Sequence, residues 1–339
     1  VLFDGEASGL RLPACDHYAG NEKLMRKSLA LQAETAVNGR AVFDITLDCE
    51  DGASAGDEVH HAELIASLLI EPENAFNHVG VRVHDLMHPA RREELDIIVR
   101  YAGQRVAYIT FPKVRGAAEA RRCVDAVNDA AKRNGIDDAI PVHVLIETHG
   151  ALEQVREIAA IPQIDCLSFG LMDFVSAHRG AVPDSAMRSP GQFDHALIRR
   201  AKLEISAACH AHGKVPSHNV TTEFSDPTVA RADALRACME FGYTRMWSIH
   251  PNQIPGIVQA MQPSGEEVEM AAAILLAASD AGWGPIRFER GDVARLHDRA
   301  SFRYYWDVLL RAHAAGAHIP TSAQDAFFRN HAARAGRNT

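Results

Sequence analysis

Short apolar runs alternate with longer stretches of helical period along most of this 339-residue chain. The runs are RLPACDHYA from Arg11, AVFDITLDCE from Ala41, HVGVRVHD from His78, RVAYITFPK from Arg105, IPVHVLIET from Ile140, IDCLSFGLMD from Ile164, KVPSHNV from Lys214 and YTRMWSIHP from Tyr243. Several are β-rich and almost continuously apolar, as strands buried on both faces are. KVPSHNV is the least regular, because Pro216 removes a ladder donor. Helical segments fill the gaps. NEKLMRKSLALQAETAV opens on Asn21, a good N-cap. GDEVHHAELIASLLI follows the second run, and GAAEARRCVDAVNDAAKRNG follows the fourth and ends at Gly135 as a C-cap. FDHALIRRAKLEISAACHAHG and DPTVARADALRACMEFG follow the sixth and seventh, the latter with Pro227 in its first turn. Such alternation over roughly 250 residues predicts an α/β fold, a (β/α)8 barrel. A doubly wound open sheet fits less well, since no glycine-rich phosphate fingerprint follows the first run.

The rhythm stops after HPNQIPGIVQAM. SGEEVEMAAAILLAASDAG begins with a Ser264-x-x-Glu267 capping box and reads as one long helix. RFERGDVARLHDRASFRYYWDVLLRAHAAG reads as a short extended piece and an amphipathic helix carried by Phe302, Tyr305 or Trp306, and Leu309. The expected division is a barrel domain over 1–262 and a C-terminal helical extension over 263–339. Exposed aromatics would suit that extension to a lid or an oligomer contact. The final ARAGRNT is expected to fray.

Composition narrows the function. A chain 47% hydrophobic and 23% charged can bury a sizeable core. A formal charge of -9 opposes a nucleic-acid or anionic-membrane partner. No apolar run has the length of a membrane span. The opening VLFDGEASGLRLPACD lacks the basic-then-apolar pattern of a secretion signal. The cysteines, at 15, 49, 123, 166, 209 and 238, form no CxxC pair, so reduced thiols in the cytoplasm are expected rather than zinc or redox chemistry.

Active sites of such barrels are built at the C-terminal ends of the strands. The second run ends on Asp48, Glu50 and Asp51, the third carries Arg82, His84 and Asp85, and the fourth ends on Lys113. The fifth ends on Glu147 and Thr148, the sixth on Asp173, the seventh on His218 and Asn219, and the eighth on His250. These groups are expected to converge on one mouth. Carboxylates dominate, and oxygen ligands without cysteine favour a hard cation, Mg²⁺. Glu147 and Asp173, on adjacent strands, suit direct ligation best; each alone could be a solvated loop carboxylate. Arg82 lies between valines and needs an anion. It is either a structural ion pair with Glu50 or Asp51, or a fork that grips a substrate oxyanion. Lys113 reads as an ion-pair partner, because an acidic site opposes the lowered pKa of a Schiff-base lysine.

FDITLDCEDGA, VRV, FPKV, LIET, SFGLMD and WSIHPNQ occur in this order at successive strand ends. This set resembles the HpcH/HpaI aldolase and citrate lyase β-subunit family, near the malyl-CoA and citramalyl-CoA lyases. The resemblance covers roughly Tyr18 to Met261, and LHDRASFR resembles the family's C-terminal lid segment. It implies a Mg²⁺-dependent lyase acting on the carbon–carbon bond of a 3-hydroxyacyl-CoA thioester such as malyl-, citramalyl- or citryl-CoA. The products would be acetyl- or propionyl-CoA and a 2-oxo acid. It further implies that Glu147 and Asp173 bind the metal, and that Arg82 binds substrate and stabilises the enolate. Lys113 and Glu147 would line the substrate. Glu50 and Asp51 would hold metal-bound water or orient Arg82. Asp298 would reach the site from a neighbouring subunit of a homotrimer or hexamer and act as the base, with Glu50 or Asp51 second. Arg26 and Lys27 would meet CoA phosphates, or form a solvated helix face.

The chain departs from the family at Cys49, where leucine is usual, and at His84, where asparagine is common. VPSHNVTTEFSD lacks a common aspartate-glycine pair, and the loop SAHRGAVPDSAMRSPGQFDH is distinctive. Two other readings stand beside the thioester lyase. One is a metal-dependent aldolase of free hydroxy-oxo acids, or a phosphoenolpyruvate-type enzyme, on the same barrel. The other is a non-catalytic ligand-binding or assembly subunit, against which the complete set of acids and Arg82 speaks.

Overall fold

The computed structural model describes residues 12–53, 56–291 and 293–329. Residues 12–261 form one compact unit and the described residues from 262 onward a second. In the first, eight parallel strands close into a barrel in sequence order. They are β1 (Cys15–Ala19), β2 (Asp44–Asp48), β3 (Val79–Arg82), β4 (Ile109–Phe111), β5 (Val142–Ile146), β6 (Ile164–Phe169), β7 (Val215–His218) and β8 (Arg245–Ser248). Each expected apolar run supplies one strand. Around them run α1 (Glu22–Glu34), α2 (Glu58–Ile70), α3 (Arg91–Ala102), α4 (Ala117–Arg133), the short pair α5 (His149–Glu153) and α6 (Val155–Ala159), α7 (Leu171–Ser176), α8 (Gly191–Asp194), α9 (Ala196–Ala211), α10 (Pro227–Phe241) and α11 (Ile254–Met261).

The period of two within each strand sorts side chains between the inside and the outside of the barrel. In DITLD, Ile45 and Leu47 join the apolar layer that includes Met25, Leu29, Ile65 and Leu68 on the helices. Asp44, Thr46 and Asp48 take the opposite face. The lower interior is therefore polar, unlike the branched apolar filling common in such barrels. Arg245, fully buried, reaches Asp16 at 3.0 Å and Asp44 at 2.5 Å. Thr46 donates to Asp16 at 2.8 Å and lies 2.9 Å from the Tyr108 hydroxyl. Gly80 clears space for that ring, since a Cβ there would meet Tyr108 at 2.1 Å.

Asp44 also binds His78 Nδ1 at 2.6 Å at the rim of this cluster. The Asp44 hydrogen bond raises the pKa of His78 above the ordinary 6.5. Stability from this pair is complete below the unfolded value and is lost as pH rises through the native one. His78→Gln should therefore lower the urea midpoint more at about pH 5.5 than at about pH 9. Equal losses at both would contradict the pairing.

Caps placed several helices as expected. The Asn21 side chain accepts from Leu24 N–H, and Asp226 from Thr228 N–H with Pro227 behind it. Gly135 follows α4 with φ of 68° and Gly242 ends α10 with φ of 72°. Three features differ from expectation. The predicted helix from Phe193 breaks at His195, which is extended, leaving α8 and α9. Helix α3 has no side-chain cap at Ala90, so its start lacks the usual capping signal. Gln154 splits the segment after β5 into two helices too short to carry a period.

The second unit holds α12 (Gly265–Asp280), the antiparallel strands β9 (Ile286–Arg290) and β10 (Val293–His297), α13 (Arg299–Ala314) and α14 (Thr321–Gln324). Both elements of the Ser264–Glu267 capping box form. Phe302 and Leu309 are fully buried against Val268, Ala271 and Leu275, while Tyr305 and Trp306 sit at the edge of this core. The extension is not all-helical. Ile286–Arg290 and Val293–His297 pair antiparallel, Phe288 alternates with charged residues, and Gly291 takes φ of 58°. The segment ARAGRNT lies outside the described residues. Among those described, no helix is long and apolar enough to cross a membrane. All six cysteines are free thiols, and only Cys238 is even partly exposed.

Candidate active site

The acidic segment after β2 is a folded clasp. Asp48 and Arg82 are register partners on β2 and β3, both facing inward. Arg82 Nε donates to Asp48 Oδ1 at 2.7 Å and Nη2 to Oδ2 at 2.6 Å, a fork-on-fork pair. Arg82 Nη1 meets Glu50 Oε2 at 3.0 Å. Asp48 also caps its own loop, accepting from Glu50 N–H at 3.0 Å and Gly52 N–H at 2.8 Å. Glycine is required behind the acids, for a Cβ on Gly52 would lie 2.4 Å from Asp48 Oδ2. Gly20, at the end of β1, is needed for the same closure, since its Cβ would collide with the Gly52 carbonyl at 1.8 Å.

Arg82 is thus held by Asp48 and Glu50, not by Asp51. Asp51 is exposed and sits 3.4 Å from Lys113 Nζ, which also bonds Glu50. Burial works against the Arg82 charge, but its bonds to Asp48 and the nearby charges outweigh it, so the guanidinium stays protonated. Burial likewise opposes Lys113, and the Glu50 bond outweighs it and raises the pKa, the opposite of what a Schiff-base amine needs. The Arg82 guanidinium lies 5.2 Å over the Tyr18 ring, which stacks on Trp247 at 4.3 Å. Sequence reasoning missed this aromatic floor, whose Tyr18 hydroxyl and Trp247 Nε1 are buried without partners.

Glu147 follows β5 and is 3% exposed. Thr148 fixes this corner by donating to the Val114 carbonyl at 2.7 Å and capping α5 through Ala151 N–H. The corner brings Glu147 onto the Lys113 backbone N–H. Lys113 takes φ of 52°, a conformation unusual for a long side chain. Gly170, at the end of β6, packs flush against Glu147, where a Cβ would come within 2.0 Å of Oε2. Asp173 stands in the first turn of α7, close enough to raise the pKa of Glu147.

The electrostatics ask for a cation. Burial pushes Glu147 up to about 8; the Lys113 N–H opposes this, while Asp173 and Glu50 add repulsion. Glu50 is raised too, chiefly by burial, against the pull of Arg82 and Lys113. Five carboxylates, Asp48, Glu50, Asp51, Glu147 and Asp173, here face two cationic side chains, Arg82 and Lys113. Oxygen donors with surplus negative charge fit a hard divalent ion.

The remaining expected members have partners of their own. His218 and Asn219 are fully buried behind the barrel wall, not at the mouth. Lys202 donates to Asn219 Oδ1 at 2.7 Å and contacts His218 Nε2, while the His218 ring stacks on Phe193. Pro216 does not break β7, since its carbonyl still accepts from Thr244 at 3.4 Å. His250 caps the turn after β8 and stacks on Phe224. Arg26 bonds Glu22 and Glu71, each at 2.8 Å, on an exposed face that also carries Lys27. Asp298 belongs to the second unit, where it is exposed and N-caps α13 by accepting from Ala300 and Ser301 N–H groups. It lines a cleft with Trp283 and Arg299.

Comparison with known proteins decides the family. The family model for HpcH/HpaI aldolase/citrate lyase matches residues 33–251, a stretch that carries Asp48, Glu50, Arg82, Lys113, Glu147 and Asp173. The chain belongs to the HpcH/HpaI aldolase/citrate lyase family. As a member, it is a carbon–carbon lyase. It is similar to an L-malyl-CoA/beta-methylmalyl-CoA lyase of Cereibacter sphaeroides, 30% identical over 247 residues that span 70% of this chain and 77% of that one. A crystal structure of a citrate lyase from Burkholderia xenovorans LB400 is 58% identical, with a TM-score of 0.83 over 94% of this chain and 97% of that chain. Protein CitE from Mycobacterium tuberculosis, solved with magnesium, acetoacetate and coenzyme A, shares the fold. Its TM-score is 0.64 at 21% identity, over 89% of this chain and 98% of that chain.

Proposed function

We propose that this lyase is Mg²⁺-dependent and cleaves or forms the carbon–carbon bond of a 3-hydroxyacyl-CoA thioester of the malyl, citramalyl or citryl type. The observation that carries the reading is a desolvated Arg82, clamped by Asp48 and Glu50, beside the excess carboxylate charge of Glu147 and Asp173. The malyl-CoA lyase relative and the magnesium and coenzyme A bound to the CitE neighbour support the substrate class and the metal.

Glu147 and Asp173 would hold the ion. When bound, Mg²⁺ supplies a Lewis acid for the oxygens of the 2-oxo acid portion. The remaining work falls to the chain. A base takes the proton of the substrate 3-hydroxyl. The carbon–carbon bond breaks, the hydroxyl carbon becomes the carbonyl of a 2-oxo acid, and the bonding pair moves onto the thioester as an enolate. Arg82 is already charged and oriented, so it can stabilise that oxyanion without reorganisation. The enolate then takes a proton at carbon to give acetyl- or propionyl-CoA. Glu50 holds Arg82 and Lys113 in place and Asp51 steadies Lys113, which also faces the substrate.

Asp298 of a neighbouring copy in a trimer or hexamer is the base in this reading. Asp298→Asn tests it cleanly, because asparagine caps a helix as well as aspartate does. The variant should keep its melting temperature and lose at least about a hundredfold in kcat. Full activity would return the role to Glu50 or Asp51. The substrate class is tested by incubating the protein with Mg²⁺ and malyl-, citramalyl-, β-methylmalyl- or citryl-CoA, then trapping the 2-oxo acid with phenylhydrazine. Turnover confined to free hydroxy-oxo acids would favour the aldolase alternative.

A further inference from the structure

A second cluster of metal-ligating side chains lies on the connection from β3 to α3. His84 stands two residues beyond Arg82, His88 four residues further along the turn, and Glu94 in the first turn of α3. One ligand atom from each lies within 4.8 Å of the others. Glu94 is fully buried, and its carboxylate takes His84 Nδ1 at 2.6 Å and His84 N–H at 3.3 Å. None of the three ligates in the reading of the active site given above.

We propose that His84, His88 and Glu94 form a binding site for a borderline transition-metal ion, of the Zn²⁺ or Co²⁺ class, distinct from the Mg²⁺ site. Two imidazoles and one carboxylate are a donor set that such ions favour and Mg²⁺ does not. Ligand atoms on a tetrahedral ion stand about 3.3 Å apart, so the His84–Glu94 contact opens by well under an ångström to admit one. The rings of His84 and His88 stack at 3.8 Å with planes 14° apart, so His88 must turn about its Cβ–Cγ bond to share the ion. Its Nδ1 accepts a long 3.3 Å bond from Ala90 N–H, which such a turn readily exchanges. The bound ion would tie the loop after Arg82 to α3 and leave a fourth position for water.

The test is titration of the whole protein with Co²⁺ under saturating Mg²⁺, followed by visible absorption and calorimetry. One tightly bound equivalent is expected, with the intense bands of a tetrahedral site and displacement by Zn²⁺. His88→Gln, on a partly exposed turn where folding is not at stake, should weaken binding at least tenfold, and Glu94→Gln likewise. A Glu147→Gln protein should still bind Co²⁺ here, which separates this site from the proposed Mg²⁺ centre. Co²⁺ bound equally well by His88→Gln, or chased off by Mg²⁺, would overturn the proposal.

Discussion

Replacing Glu147 with glutamine is expected to abolish Mg²⁺-dependent turnover while making the metal-free protein more stable near pH 8. The two effects share one cause. The native fold buries Glu147 at 3% exposure, pushes its pKa up to about 8 chiefly through that burial, and adds repulsion from Asp173. Metal-free protein therefore loses stability as pH climbs from the ordinary carboxylate value of 4.5 towards 8. Glutamine, uncharged and nearly the same shape, removes that loss, so the gain should be present near pH 8 and absent near pH 4. It also removes an anionic ligand. A metal's Lewis-acid contribution of several kcal/mol corresponds to about a thousandfold or more in rate. Thermal melts in EDTA at the two pH values, with Mg²⁺ calorimetry and turnover alongside, check both halves. A destabilised variant that still bound Mg²⁺ would sink the assignment.

Replacing Arg82 with lysine is the second large effect. Lysine keeps the charge but cannot reproduce the fork on Asp48 at 2.6 and 2.7 Å together with the third bond to Glu50. A donor aimed at developing oxyanion charge is worth about 3 kcal/mol, so kcat should fall by about 10²- to 10³-fold. Mg²⁺ affinity should change far less, because Arg82 is not a ligand in this reading. Arg82→Met should in addition lose stability, since it leaves Asp48 buried without its cation. If lysine supported near-normal kcat, Arg82 would be a structural ion pair alone.

The barrel was readable because several of its strands, buried on both faces, are nearly continuous apolar runs, and the rest keep the same alternation with helical segments. Helix α3 was not readable, because its N-cap, Ala90, offers no capping side chain. The hairpin inside the C-terminal unit is short and charged, so it read only as a short extended piece. Within the site, the residue types at the strand ends were legible but their partners were not. Arg82 binds Asp48 because β2 and β3 pair them side by side, and register is a tertiary fact. His218 shows the reverse error. Ser217 pairs with the inward-facing Ser168 across β6 and β7, so its neighbour His218 must point outward, into the helix layer. That Gly52 and Gly170 make room for Asp48 and Glu147 is visible only in the folded chain.

Product analysis by chromatography and mass spectrometry tests the central claim most directly. Malyl-CoA, or whichever thioester of the panel turns over fastest, is incubated with the Mg²⁺-loaded protein. The account predicts acetyl- or propionyl-CoA and a 2-oxo acid in equal amounts, dependent on Mg²⁺ and lost in Glu147→Gln. Release of free CoA together with the intact hydroxy acid would contradict it, for it would mean that the thioester, not the carbon–carbon bond, is what this site breaks.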